Sequence, residues 1–72
     1  MRDYHINIFY SEEDGAYVAD IPDLDACSAL GQTAEQALRE VERAKQLWLD
    51  AARATGKSIP LPRYRPAIYQ AP

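Results

Sequence analysis

Residues 16–38 read AYVADIPDLDACSALGQTAEQAL, and the period of their apolar side chains changes inside that stretch. From Ala16 to Ile21 the pattern is that of a β-strand, with neighbouring side chains on opposite faces. Pro22 ends it, because proline has no N–H to give to a central ladder. From Thr33 the period becomes helical. Thr33 followed by Gln36 fits a capping box, in which each side chain satisfies the other residue's free backbone N–H. Ala34, Ala37, Leu38, Val41, Ala44, Trp48 and Ala52 then fall on one arc, with Glu35, Arg39, Glu42, Arg43, Gln46 and Asp50 opposite. Gly56 suits the left-handed position after a helix. The spacing therefore predicts a helix over 34–55.

Upstream, YHINIFY (4–10) alternates and is rich in β-branched and aromatic residues, so it reads as a strand. Tyr4, Ile6, Ile8 and Tyr10 share one face; His5, Asn7 and Phe9 share the other. SEEDG (11–15) is a polar turn that Gly15 can close with a positive φ. On the return strand both faces, Tyr17-Ala19-Ile21 and Ala16-Val18-Asp20, are fairly apolar, so this strand alone does not assign the core side. ACSAL (26–30) reads as a third strand, with Gly31 as a breaker. The segment SIPLPRYRPAIYQAP (58–72) holds four of the five prolines and no acid. Its residues before proline are held extended, and AIYQ (67–70) is a candidate edge strand. The expected class is α+β: a three- or four-stranded antiparallel sheet with one long helix on one face. Residues 1–57 form the domain and 58–72 a proline-rich extension.

Seventy-two residues allow one small domain, which buries only about 60% of the surface its unfolded chain exposes. Such scaffolds usually need a disulfide, a metal or a second subunit. Cys27 is the single thiol, and with His5 it falls short of the four ligands of a structural zinc site. By elimination a homo-oligomer, dimer or tetramer, is expected, with Leu47, Ala51, Tyr64 and Tyr69 as candidate contacts. No apolar run approaches the ~18 residues of a membrane span, and no charged-then-apolar leader opens the chain. The cytoplasm is the expected compartment. The net charge of −3 disfavours autonomous nucleic-acid binding and favours a basic protein partner.

The acids cluster in the hairpin turn (Glu12, Glu13, Asp14) and around Pro22 (Asp20, Asp23, Asp25). A two-metal nuclease needs carboxylates converging on ions about 3.5–4 Å apart. Asp20, Asp23 and Glu12 are the set such an enzyme would use, but turn positions suit solvated side chains better. His5 and Cys27 carry no motif that marks a nucleophile and its base. No catalytic residue, metal ligand or cofactor is expected. Glu12, Glu13, Asp14, Asp23 and Asp25 are the expected partner-binding surface.

Taken in order, YHINIFY, Tyr17, IPDLDAC, GQTAEQALREVERAKQLWL and GKSIPLP resemble the HicB family of antitoxins. Ile21, Pro22, Asp23, Leu24, Cys27, Gly31, Thr33, Glu35, Ala37 and Leu38 fit its pattern, with Ile59 and Pro60 near the end. Asp25-Ala26 replaces the family's Pro-Gly, and Gln32 its usual Asp. The resemblance, over residues 4–62, implies a partial ribonuclease-H-like β-β-β-α-β fold without catalytic carboxylates. It also implies a partner: HicA, a small basic RNA-cleaving toxin whose active site the antitoxin covers. Many members add a C-terminal DNA-binding domain, for which a chain ending at Pro72 has no room. The expectation is a non-enzymatic antitoxin; a regulatory or structural homo-oligomer without a toxin is the other reading.

Overall fold

The computed structural model describes residues 3–66. Three strands, β1 (Asn7–Ser11), β2 (Ala16–Asp20) and β3 (Ser28–Gly31), precede one helix, α1 (Ala34–Thr55). The sheet is an antiparallel meander with β2 in the centre. Ile8 pairs with Ala19 and Ala19 with Ala29, which puts these three on one face. Phe9, Val18 and Leu30 are likewise in register, on the other. The expected α+β class holds. The ribonuclease-H-like comparison needs a fourth strand, and AIYQ (67–70) lies outside the described residues. Among the described residues no helix is long and apolar enough to cross a membrane.

Helix α1 has the expected limits for the expected reasons. Thr33 Oγ1 accepts from the Gln36 N–H at 3.1 Å, and Gly56, at φ 74°, donates to the carbonyls of the last turn. The other half of the capping box is displaced by one residue. Gln36 Oε1 accepts from the Gln32 N–H at 2.6 Å, not from Thr33.

Strand β2 settles the question that its own pattern leaves open. Tyr17, Ala19 and Ile21 face the helix, and the core is Ala19, Ile21, Leu24, Cys27, Ala37 and Val41, with Leu38, Ala44 and Trp48 packed against it. The helix lies mainly over β3 and β2, where Ala19, Ala29 and Gly31 present almost no bulk. β1 is barely covered, so Ile8 and Tyr10 stay exposed although they point to the helix side. The bulk of Tyr10 suits a core or a contact; here it meets Tyr17 edge-on at 5.3 Å.

Strand β3 starts two residues later than expected, at Ser28. Residues 22–27 are spent on a tight corner, in which the Leu24 N–H bonds the Ile21 carbonyl and the Cys27 N–H the Leu24 carbonyl. Beyond Gly56 the chain is an extended strap (57–66) that returns to the N-terminus. The Tyr4 hydroxyl donates to the Pro60 carbonyl there. Lys45, its side chain only 11% exposed, reaches Asp3 at 3.1 Å. The Tyr4 N–H and then the Lys45 ammonium hold the Asp3 carboxyl below its usual range.

Candidate partner-binding surface

The hairpin turn is built by its own polar groups. Gly15 adopts φ 62°, and its N–H bonds the Ser11 carbonyl. Ser11 Oγ donates to Asp14 Oδ2 at 3.0 Å, and the Asp14 N–H returns to Ser11 Oγ at 3.2 Å. Asp14 is thus occupied in holding the turn. Glu12 and Glu13 project into solvent, and no described residue forms an ion pair with either.

The corner lies at the opposite end of β2, so the two acidic groups are separated by the length of that strand, about 13 Å at 3.3 Å per residue. Asp23 does not point to solvent alone. Its carboxylate accepts the N–H groups of Arg63, at 3.0 Å, and Tyr64, at 3.0 and 3.2 Å, anchoring the strap. Asp25 is exposed, and its carbonyl accepts the Trp48 indole N–H at 3.0 Å. The Lys57 ammonium lies 4.9 Å from the centre of the same indole. Trp48 therefore closes the helix onto the corner as well as filling the core.

Asp20, Asp23 and Glu12 do not converge: Asp20 stands on the helix-free face opposite Asn7 and Ser28, Asp23 holds the strap, and Glu12 is in the distant turn. Among the described residues no three His, Cys, Asp or Glu side chains are grouped as metal ligands. His5 Nε2 lies 2.7 Å from Asn7 Oδ1, with its ring 4.7 Å from that of Tyr64. Cys27 is in the core on the other side of the sheet, and burial raises its thiol pKa, which keeps it protonated. Leu47 and Ala51 are exposed on the outer face of α1, and Tyr64 is exposed on the strap. Tyr69 lies outside the described residues.

The Asp25-Ala26 departure has a visible cost. Ala26 has φ 58°, in the left-handed region where a Cβ meets the following carbonyl. Ala26→Gly removes that strain but adds unfolded-chain entropy. A net gain of about 0.5–1 kcal/mol is expected. A thermal melt should register it as a midpoint higher by about 2–8 °C.

The family model for HicB-like antitoxins of bacterial toxin–antitoxin systems matches residues 4–72. The chain is also 38% identical, over 53 residues, to UPF0150 protein ssl0259 of Synechocystis sp.; the match covers 74% of this chain and 73% of that protein. No solved structure matches significantly. On the strength of the family match over nearly its whole length, the chain belongs to the HicB-like antitoxin family.

Proposed function

We propose that the protein is a cytoplasmic, non-enzymatic antitoxin that covers the active site of a small basic RNA-cleaving toxin of the HicA type. The observation that carries this reading is the acidic hairpin: Glu12 and Glu13 stand in solvent without an ion-pair partner among the described residues. Such charges steer an oppositely charged protein and exclude wrong partners, while apolar anchors supply most of the affinity. Asp25 adds an exposed carboxylate at the far end. Asp14 adds charge at the hairpin and Asp23 at the corner, while holding the turn and the strap.

Co-expression with the small basic product of an adjacent reading frame tests the role: growth should be rescued and the two proteins should co-purify. Failure of rescue by a folded antitoxin would remove it. Glu12→Lys with Glu13→Lys should slow association about tenfold at low salt, measured by stopped flow, and the difference should shrink above ~0.5 M salt.

A further inference from the structure

The segment before β1 and the strap enclose a cleft that the toxin reading leaves unused. Asp3, Tyr4 and His5 form one wall; Arg63, Tyr64 and Arg65 form the other. The Tyr4 hydroxyl on the Pro60 carbonyl and the His5 ring against that of Tyr64 tie wall to wall, and Asp23 holds the strap from the corner. The cleft lies at the end of β1 remote from the hairpin acids. Its volume, about 520 Å³, falls within the ~300–1,000 Å³ of small-molecule sites. An inorganic anion alone would leave most of it to water.

Charge and shape narrow the ligand. The whole chain is at −3, but residues 57–66 carry Lys57, Arg63 and Arg65 and no acid. Asp3 is the single carboxylate of the lining, and the Lys45 ammonium at 3.1 Å offsets it. The cleft is therefore net positive. Asp23 holds the N–H of Arg63 and not its guanidinium, which forms no ion pair with a described residue. A guanidinium is a planar fork of donors that fits a phosphate or carboxylate edge. Beside it, the Tyr64 ring is backed by His5 at 4.7 Å yet remains 42% exposed. A flat group can lie on it.

We infer that this cleft binds a nucleoside monophosphate, with the phosphate on the Arg63 guanidinium and the base stacked on Tyr64. A phosphate monoester carries about −1.5 to −2 charge at pH 7, more than a simple carboxylate, and so answers the positive wall better. The base supplies a flat body for the volume that the phosphate leaves, and stacking of this kind tolerates any base. The site uses neither the acidic hairpin nor a protein partner, so it is independent of the toxin reading.

Heteronuclear NMR spectra of the full chain, titrated with adenosine monophosphate, test the assignment. The amide signals of His5, Arg63 and Tyr64 should shift with a dissociation constant of about 1 mM or below, and those of the hairpin should stay in place. Adenosine, which lacks the phosphate, and inorganic phosphate, which lacks the base, should each bind about tenfold more weakly or worse. Arg63→Ala should weaken the nucleotide about tenfold or more. That variant keeps the N–H that Asp23 holds, so the strap should stay closed and the spectrum of the free protein otherwise unchanged. Lys57→Ala removes an equal charge from the part of the strap that lies over Trp48, and should change the affinity less than about twofold. Absence of shifts at about 10 mM nucleotide overturns the inference. Equal losses from Arg63→Ala and Lys57→Ala overturn it too, since they show attraction by overall charge alone. Inorganic phosphate binding as tightly as the nucleotide overturns the assignment of a base to Tyr64. Each of these results leaves the antitoxin reading intact.

Discussion

Replacing Gly31 with alanine is expected to cost about 3 kcal/mol or more, a large share of the 4–11 kcal/mol, approximately, that a domain of this length holds. A Cβ built at Gly31 lies 2.4 Å from the Ala37 nitrogen and 2.9 Å from both Ala37 Cα and the Gln36 carbonyl carbon. These are backbone atoms in the first turns of α1, and no side-chain rotation can move them. Relief requires the helix to withdraw from β3, which opens the contact that buries Ala19, Ala37 and Val41. Gly15 is the control. It has a positive φ but open space around its missing Cβ, so Gly15→Ala should cost only about 0.5–1 kcal/mol, the left-handed strain less the gain from a stiffer unfolded chain. Urea titrations of the two variants should rank them in that order; equal losses would show that close approach is not the role of Gly31.

Leu24→Ala is the second large effect, about 3–4 kcal/mol within the range measured for buried leucine truncations. Leu24 belongs to no strand or helix, yet it is only 2% exposed and is among the largest fully buried side chains. It fills the space below the corner, against Ile21, Cys27 and Val41. The same residue's N–H and carbonyl tie that corner to Ile21 and Cys27. Truncation leaves a cavity under a turn already strained at Ala26. The single tryptophan reports on it directly, because the Trp48 indole N–H is bonded to the Asp25 carbonyl. The variant should show a red-shifted Trp48 emission together with a lowered urea midpoint. An unchanged midpoint would mean that the corner is not part of the core.

These two residues also mark how far local pattern reaches. Helix α1 is legible to its ends because its signals are local: Thr33 at one end, Gly56 at the other, and an apolar arc between. Gly31 is legible only as a breaker, since its role depends on the backbone of residues 36 and 37 above it. The core side of β2 is not legible, because Tyr17-Ala19-Ile21 and Ala16-Val18-Asp20 are both fairly apolar. It is set by the strands on either side, with Ile8 and Ala29 beside Ala19.

The candidate surface divides in the same way. The acidity of the hairpin can be read directly from SEEDG, and the structure keeps Glu12 and Glu13 outermost. The engagement of Asp23 with residues forty positions away leaves no local trace. One signal points to it in retrospect. In PLPRYRP the prolines lack N–H groups, so Arg63, Tyr64 and Arg65 are the only consecutive donors between Pro60 and Pro66. An acceptor that catches this segment must catch it there.

The grip of Asp23 on the strap has a practical corollary. It holds amide hydrogens, which every amino acid but proline supplies, and so it is blind to the side chain that each Cα carries. Position 63 can be recoded, to a cysteine carrying a dye for instance, while the clasp stays shut. A label placed there would ride on the returning chain and report its release without having caused it.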